Sequence, residues 1–217
     1  MIRARPRSAP TMHVVITGGA GFLGRRLARS LLARGTLTDA AGATRPISGL
    51  TLLDVVAPTG LAADPRLRVV VGDLADERVI AEALRDDTQS VFHLAAVVSG
   101  EAEANFDLGM RVNVDATRHL LMACRAQKSA AKVLFASSLA VFGGTLPDPV
   151  TDDAPVMPQT SYGTQKTIGS GFLRGSLNLR STVKGVATCE LGSSSDVCIA
   201  APRAVLRSCE HTLMTMR

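Results

Sequence analysis

A glycine-rich turn near the amino end of the chain constrains the fold more than any other feature. Residues 17–24 read Thr-Gly-Gly-Ala-Gly-Phe-Leu-Gly. The residues before them, 13–17, form a short apolar run that predicts a buried strand, and residues 22–34 carry apolar side chains at helical spacing. A strand that enters a helix through such a turn is typical of the unit with which α/β proteins bind a dinucleotide.

Three glycines of this turn have predicted structural roles. Gly18 allows the tight turn, Gly21 lets the backbone approach a pyrophosphate, and Gly24 lets the helix pack closely on the strand. The amide groups at the start of the helix, including those of Phe22 and Leu23, are available as donors to phosphate oxygens. A purely structural glycine turn is the alternative, but the strand before it and the helix after it favour a dinucleotide site.

The rest of the chain continues the alternation of strands and helices. Further strands are predicted at residues 50–54, 67–71, 90–94 and 132–137, and helices at 76–85, at 104–127 and from about 162. The segment 143–161 is rich in Pro, Asp and Thr and is predicted to be a loop over the strand ends. This order predicts an α/β fold, a doubly wound parallel sheet of the Rossmann type that binds ligands at the carboxyl ends of its strands.

An aspartate ends the second predicted strand. The carboxylate of Asp54 is placed to accept hydrogen bonds from the ribose hydroxyls of an adenosine, and it would repel a 2′-phosphate, which favours NAD over NADP. An exposed aspartate at a strand end is the simpler alternative. Arg25 and Arg26 lie near enough in sequence to leave NADP open.

The ends of the third and fourth predicted strands supply further candidates for the cofactor site. Asp73 and Leu74 follow the third strand, at a position where they could meet an adenine ring. Ala95 and Ala96 follow the fourth strand, and their small side chains would let a cofactor lie flat on the backbone.

A tyrosine and a lysine four residues apart provide candidate catalytic groups. On a helix, Tyr162 and Lys166 share one face, and a lysine ammonium beside a phenol is expected to lower the tyrosine pKa. A phenolate there would take the proton of a secondary alcohol. Ser137 and Ser138 end the fifth predicted strand, and alternation allows only one of them to orient the substrate oxygen. Alone the tyrosine–lysine pair is a weak signal; behind a dinucleotide-binding turn it becomes strong.

Two polar residues lie inside predicted elements. His93 stands in an apolar strand, where a packed histidine is expected rather than a catalytic one. Asn113 lies in the middle of a predicted helix, and because asparagine is a poor helix former, either a buried role or a solvated polar face fits its position.

Composition excludes several classes of function. The net charge of +5 arises at the two ends, because residues 12–169 carry 15 basic and 16 acidic side chains. With a single Tyr and no Trp, platforms for stacking bases are also scarce, so we expect no nucleic-acid partner. No apolar run has the length of a membrane span. The four cysteines show no metal-ligand spacing, so we expect no metal, reduced thiols and a cytoplasmic location.

These motifs together resemble the extended branch of the short-chain dehydrogenase/reductase superfamily, the epimerase/dehydratase-like group. The resemblance covers residues 12 to about 169 and includes the glycine turn, His-Leu-Ala-Ala at 93–96, Asn-Val-x-x-Thr at 113–117 and Tyr-x-x-x-Lys at 162–166. The family's catalytic serine precedes the aromatic residue of Ser-x-x-Val-Tyr-Gly by four positions, which implies Ser138, with Phe142 in place of the tyrosine. The resemblance also implies NAD as cofactor, a structural or proton-relay role for Asn113, and a pairing of helices that makes a homodimer possible.

More narrowly, the segments at 96–103, 141–147 and 161–166 resemble D-erythronate dehydrogenases, NAD-dependent enzymes that oxidise a four-carbon sugar acid to its 2-oxo form. That resemblance implies a small sugar-acid substrate. Ser99 and Thr145 then become candidates for the substrate edge of the pocket, together with Ser138.

The resemblance breaks near residue 169. Three glycines at 169, 171 and 175 predict that the helix bearing Lys166 frays early, and no regular period is found beyond about Arg180. We therefore expect a disordered extension at 1–11, with Met12 as the functional start, an NAD-binding domain with the catalytic residues at 12–169, and an atypical tail at 170–217. A reading-frame or splice artefact would explain this tail in a truncated enzyme; a genuine short variant is the alternative.

Three functions remain open on these residues. The leading one is an NAD-dependent oxidoreductase that acts on a secondary alcohol of a small sugar acid through Ser138, Tyr162 and Lys166. A nucleotide-sugar epimerase or dehydratase uses the same three residues with retained cofactor. A non-catalytic NAD-binding module gains weight from the truncation.

Overall fold

The computed structural model describes residues 11–39, 41–127, 131–146, 150, 154–178, 186–191 and 197–200, with side chains as far as Arg174. The strands are β1 (Met12–Thr17), β2 (Thr36–Thr38), β3 (Thr44–Asp54), β4 (Leu67–Val71), β5 (Thr88–His93), β6 (Lys132–Ala136), β7 (Val186–Leu191) and β8 (Val197–Ala200). The helices are α1 (Phe22–Arg34), α2 (Glu77–Ala83), α3 (Ser99–Ala104), α4 (Phe106–Gly109), α5 (Ala116–Ala126) and α6 (Ser161–Asn178). The predicted extension before Thr11 and most of the predicted tail lie outside the described residues.

The strands form one mostly parallel sheet in the order β2-β3-β1-β5-β6-β7-β8, with β4 also paired to β3. The pairs β1–β3, β1–β5, β3–β4, β5–β6 and β6–β7 are parallel, and β2 and β8 are antiparallel to their neighbours. From β1 the chain proceeds to β3 on one side, and it later returns to β5 on the other side of β1. The strand order therefore reverses beside β1, and this reversal opens a crevice at the carboxyl ends of β1 and β5.

Helices cover both faces of the sheet, as the doubly wound prediction required. On one face, α1 buries Leu27 and Leu31 against alternate residues of β1, such as Val14 and Ile16. On the other face, residues of α2, α5 and α6 join Val15, Val133 and Phe135 in a second cluster. Because side chains of a strand alternate between the two faces, β1 contributes to both clusters and is buried along its whole length.

The sequence did not predict the hairpin before β3. Thr36–Thr38 pairs antiparallel with residues 44–46, and the turn between them is held by Asp39, whose carboxylate accepts hydrogen bonds from the N–H groups of Ala41 and Ala43. The paired strand of three residues is too short to show an alternation in the sequence.

The predicted helix at 104–127 is confirmed in outline, because residues 106–126 are helical throughout, but two details differ. Asn105 separates this helix from α3, because its side chain accepts a hydrogen bond from the N–H of Leu108, which caps α4. A π-helical turn then runs through Met110–Asp115 before α5 begins. Such wide turns accommodate an extra residue in a helix and occur often at functional sites.

The predicted early end of the helix that bears Lys166 is also wrong, since α6 continues to Asn178. Gly169 packs against β6 so closely that a Cβ there would lie 2.8 Å from Cζ of Phe135. Leu173, one turn further along, is completely buried. The free energy that interior glycines cost this helix is therefore offset by close packing on the sheet. The predicted domain boundary at residue 169 falls inside α6, and the strands β7 and β8 continue the sheet beyond it.

Candidate functional site

The glycine turn after β1 is built from backbone contacts that leave no room for side chains. Gly18 has a φ of 72°, and a Cβ there would lie 2.8 Å from the main-chain nitrogen of Ala95. A Cβ on Gly24 would lie only 2.1 Å from the carbonyl oxygen of Gly18, and one on Gly21 would lie 3.2 Å from the same oxygen. The turn therefore holds β1, the start of α1 and the end of β5 in close contact.

The start of α1 has the features of an anion site. Gly21 precedes the helix. No side chain caps the start of α1, and the first turn of this described helix contains no acidic residue. The amide groups of Phe22, Leu23 and Gly24 thus remain at the positive end of the helix, where a phosphate group is stabilised. These residues fit the pyrophosphate of a dinucleotide.

Asp54, at the end of β3, holds the turn from the side. Its Oδ2 accepts a hydrogen bond of 2.9 Å from the N–H of Ala20. The segment after Asp54 is joined to α1, because Arg25 donates to the main-chain oxygen of Thr59 at 3.4 Å. Asp54 therefore lies beside the glycine turn, where the sequence placed it.

Asp73 is engaged by an arginine that the sequence analysis had not considered. Its carboxylate accepts hydrogen bonds from the N–H of Ala75 and from Arg111. Burial acts to raise the pKa of Asp73, but these two hydrogen bonds outweigh it and the pKa is lowered. Leu74, its neighbour, is buried in the core beneath the end of β4.

Ser138, Tyr162 and Lys166 come together beyond the carboxyl end of β6. Ser138 lies near enough to the hydroxyl of Tyr162 to favour its ionised form, and it accepts a hydrogen bond from the N–H of Ala140 at 3.2 Å. Lys166 is buried beneath them, and its Nζ donates to the carbonyl oxygen of Ala136 at 3.1 Å. Ser137 instead faces Ser170 of α6, with 3.3 Å between the two hydroxyl oxygens. Of the two serines, Ser138 is the one beside the tyrosine.

The electrostatics of this group differ from the prediction. Burial raises the pKa of Tyr162, and the hydrogen bond with Ser138 only reduces that rise. Burial also lowers the pKa of Lys166 to about 8. The ammonium lies 5.7 Å from the centre of the Tyr162 ring and 4.9 Å from that of Phe135, so it packs between two aromatic faces. The expectation that Lys166 lowers the pKa of the tyrosine is wrong in this structure, because desolvation of the phenol is the larger effect.

Asn113 and Gln165 join two main-chain groups of residue 97 to helix α6; we call these residues the polar clamp. The side chain of Asn113 accepts from the N–H of Val97 at 2.9 Å and donates to its carbonyl oxygen at 3.0 Å. Its amide nitrogen also donates to Oε1 of Gln165 at 2.8 Å. Asn113 is thus buried, which decides between the two roles left open for it. Gln165 was missed, although its place between Tyr162 and Lys166 was a signal for it.

Glu103, at the end of α3, is a second residue that the sequence analysis missed. Its carboxylate accepts a hydrogen bond of 2.8 Å from the N–H of Tyr162, at the start of α6. The same contact lowers the pKa of Glu103. A carboxylate at a helix amino end is stabilised by the helix dipole, so Glu103 fixes the first turn of α6 beside α3.

His93 is a packed residue, as predicted. Its ring lies between the hydroxyls of Thr17 and Thr117, at 2.7 Å and 2.9 Å. Burial lowers its pKa to about 3, with a further contribution from the charge of Lys166. The neutral imidazole therefore connects the end of β1 to α5.

The remaining predicted residues lie around the crevice. Ala95 and Ala96 are half-buried in the segment after β5, Ser99 is exposed at the start of α3, and Thr145 is exposed in the loop after β6. Among the described residues no group of His, Cys, Asp and Glu side chains is arranged to hold a metal ion. In the same part of the chain, no helix has the length and apolar character needed to cross a membrane.

Comparison with known families agrees with this geometry. The model of the NAD dependent epimerase/dehydratase family matches residues 14–176, well over half of the chain. The chain belongs to the NAD-dependent epimerase/dehydratase family. The match includes the glycine turn, the polar clamp and the Ser138–Tyr162–Lys166 group. The family description names NAD as the cofactor, as the sequence had predicted.

Two curated relatives carry the same name. A D-erythronate dehydrogenase of Cupriavidus necator is 61% identical over 162 residues, which are 75% of this chain and 49% of that protein. A D-erythronate dehydrogenase of Haemophilus influenzae is 43% identical over 157 residues, which are 72% of this chain and 47% of that protein. The chain therefore spans about half the length of the curated relatives it matches.

A solved structure shows the same fold. The nucleoside-diphosphate-sugar epimerase from Agrobacterium tumefaciens matches with a TM-score of 0.66 and 36% sequence identity, over 84% of this chain and 54% of that chain. The matched proteins thus include ones named for dehydrogenation and one named for epimerisation, and this chain corresponds to about half of each.

Proposed function

We propose that this chain carries the NAD site and the catalytic residues of a dehydrogenase that oxidises a secondary alcohol of a small sugar acid, of the D-erythronate type, to the oxo acid. The observation that carries the proposal is the position of buried Lys166, 5.7 Å from the centre of the Tyr162 ring and bonded to Ala136 at the end of β6, where Ser138 follows. The two relatives named D-erythronate dehydrogenase support the substrate class.

In this proposal the position of each cofactor group follows from the strand order. The first turn of α1 would hold the pyrophosphate, and Asp54 at the end of β3 would bind the adenosine ribose. The segment that begins at Ala95 and the residues near Tyr162 would hold the nicotinamide end. When bound, NAD supplies the acceptor for the hydride of the alcohol carbon.

The side chains carry out the proton transfer. Tyr162, as phenolate, takes the proton of the substrate hydroxyl, while Ser138 donates a hydrogen bond to the same oxygen and holds it in place. The raised pKa of Tyr162 makes its phenolate scarce at neutral pH, so we expect oxidation to be faster under alkaline conditions. In this proposal Lys166, whose Nζ lies 5.7 Å from the centre of the Tyr162 ring, holds the nicotinamide ribose. Burial lowers its pKa to about 8, so its charge declines under the same alkaline conditions that ionise Tyr162.

The test is the formation of NADH when the chain is mixed with NAD and D-erythronate. We expect turnover that falls at least about 100-fold in Tyr162→Phe, while the binding of NADH is retained. Thr160→Ser, at an exposed site before α6, is the matched control. Turnover that persists in Tyr162→Phe would contradict the role of the tyrosine.

The epimerase structure from Agrobacterium tumefaciens favours a second candidate, a nucleotide-sugar epimerase. The same Ser138, Tyr162 and Lys166 would then act with a cofactor that is not released. Free NADH after incubation with sugar acids supports the dehydrogenase, and NAD that stays bound through purification supports the epimerase. Binding of NAD without turnover of any hydroxy acid would select a non-catalytic module.

A further inference from the structure

Gln165 lies at the centre of the polar clamp and no step of the proposed reaction uses it. It is fully buried, although glutamine is a residue that usually remains in water. In sequence it stands between Tyr162 and Lys166, so any shift of its side chain acts on the helix that carries both.

The hydrogen bonds fix the orientation of both amides in the clamp. The N–H of Val97 can only donate, so the oxygen of Asn113 must face it, and the nitrogen of Asn113 must face the carbonyl of Val97 and Gln165. The oxygen of Gln165 therefore accepts. Through this sequence of contacts, the side chain of Gln165 sets the position of the main chain at Val97.

The backbone next to Gln165 leaves space for its side chain. A Cβ on Gly109 would lie 2.5 Å from Nε2 of Gln165, so the amide of Gln165 occupies the space that a side chain at position 109 would take. The π-helical turn Met110–Asp115 follows directly and brings Asn113 inward. Two backbone features, a glycine and a widened turn, thus accommodate one buried side chain.

Folding alone does not account for a glutamine here. Its Nε2 is buried and has no hydrogen-bond partner among the described residues. An unpaired buried donor reduces stability, and an apolar side chain of similar length would avoid that loss. The residue is therefore retained at a cost to stability that a positioning role would explain.

We propose that Gln165 is a positioning residue that fixes the segment Ala95–Val97 relative to Tyr162. It thereby determines the position of the backbone surface that would bind the nicotinamide end of the cofactor. This inference rests on the proposed NAD site. Two further contacts link the next helix, α3, to α6, since Glu103 accepts from the N–H of Tyr162 and Ser161 donates to the carbonyl of Ala102. Of the three α6 residues in these links, Gln165 is the one that is buried.

The experiment compares Gln165→Met with wild type in the full 217-residue chain. Methionine keeps the length and removes both the acceptor and the unpaired nitrogen. Thr164→Met, at the exposed neighbouring position, is the matched control. We measure the affinity for NADH and for ADP-ribose, which lacks nicotinamide, and the hydrogen exchange of the Val97 amide.

We expect Gln165→Met to weaken NADH binding about five- to tenfold, the effect of one net hydrogen bond, and to change ADP-ribose binding less than about twofold. Exchange of the Val97 amide should become faster by a similar factor, and thermal unfolding should change little. Thr164→Met should alter none of these.

Two outcomes overturn the inference. Equal loss of NADH and ADP-ribose affinity in Gln165→Met would show a structural role, and unchanged values for both ligands and for Val97 exchange would show no role. If the wild-type chain binds neither ligand, the proposed function itself is wrong and the inference falls with it. If the wild-type chain binds both ligands but Gln165→Met does not weaken NADH binding more than ADP-ribose binding, the inference is wrong and the proposed function is unaffected.

Discussion

The two halves of the candidate site are built in different ways. The glycine turn of residues 17–24 is made of main-chain contacts, and its geometry depends on the absence of side chains at Gly18 and Gly24. The polar clamp is made of side chains: Asn113 bonds to the main chain of Val97, and Gln165 of α6 accepts a hydrogen bond from Asn113. The geometry of the glycine turn therefore depends on the lack of space for side chains, and the geometry of the polar clamp depends on hydrogen bonds.

This difference has consequences for substitution. A steric contact between backbone atoms cannot be relieved by a rotamer change, so any side chain in the glycine turn forces the strand or the helix to move. A buried hydrogen bond can be lost while the backbone stays in place, at the cost of the unpaired partner. We therefore expect larger and less graded effects in the turn than in the clamp.

The strongest test of the comparison is Gly24→Ala. Its Cβ would lie 2.1 Å from the carbonyl oxygen of Gly18, and the atoms around it are backbone. We expect a loss of about 3–5 kcal/mol in the free energy of unfolding and at least about 100-fold in NADH affinity. Urea unfolding and NADH titration measure these. Gly100→Ala is the matched control, because nothing lies within 4 Å of that Cβ, and it should be neutral or slightly stabilising.

Asn113→Ala tests the clamp. It removes three hydrogen bonds and leaves partly buried main-chain groups of Val97 without their partner. We expect the free energy of unfolding to fall by about 2–3 kcal/mol, less than for Gly24→Ala. Asn105→Ala, which removes an exposed helix cap, should cost about 1 kcal/mol in the same urea experiment. Equal losses in the two asparagine variants would argue against a buried clamp.

The pH dependence of stability tests the link between the two halves, His93, which lies between Thr17 and Thr117. Its pKa is about 3 in the folded chain against 6.5 ordinarily, so below about pH 6.5 the unfolded chain takes up a proton that the folded chain refuses. Stability is therefore complete above that pH and falls as the pH is lowered toward 3.

Between pH 7 and pH 5 this histidine should account for about 2 kcal/mol of lost stability. Urea unfolding of wild type and His93→Asn at both pH values measures it. The variant should be less stable at pH 7 but should lose about 2 kcal/mol less than wild type on acidification. Parallel losses in the two proteins would mean that His93 does not titrate as its burial requires.

The smallest expected effect concerns α6 beyond the clamp. Gly171→Ala places its Cβ in open space on a helix, and we expect a gain of about 0.5–1 kcal/mol in thermal or urea unfolding. Gly169→Ala meets the ring of Phe135 at 2.8 Å and should lose stability instead. If both variants were stabilising, the close packing of α6 on β6 would not explain why the helix extends to Asn178.

Much of the fold followed from local patterns. The strands β1 and β4 and the helix α1 lie where the alternation and the helical spacing placed them, because each pattern repeats over five residues or more. The doubly wound arrangement also followed, since a parallel sheet admits few connections. The hairpin of β2 and the π-helical turn inside the helix of residues 106–126 were missed, because each depends on a few hydrogen bonds rather than on a repeating pattern.

The candidate site divides in the same way. Asp54 and Lys166 lie where the motifs predicted, at a strand end and on a helix face. The direction of the Tyr162 pKa was predicted wrongly, since it depends on burial by residues distant in sequence. Gln165 and Glu103 were missed for a related reason, as a partner such as Asn113 stands 52 residues away in the chain.

The sequence by itself determined the glycine turn, the order of the elements and the residue types that meet at the strand ends. It could do so because steric rules and periodic burial act over a few neighbouring residues. Only the tertiary structure decided that Ser138 rather than Ser137 meets Tyr162, that burial governs the pKa values of Tyr162 and Lys166, and that Gln165 holds Val97 through Asn113. Hydrogen bonding and desolvation depend on which distant segments pack together, and that information exists only in the folded chain.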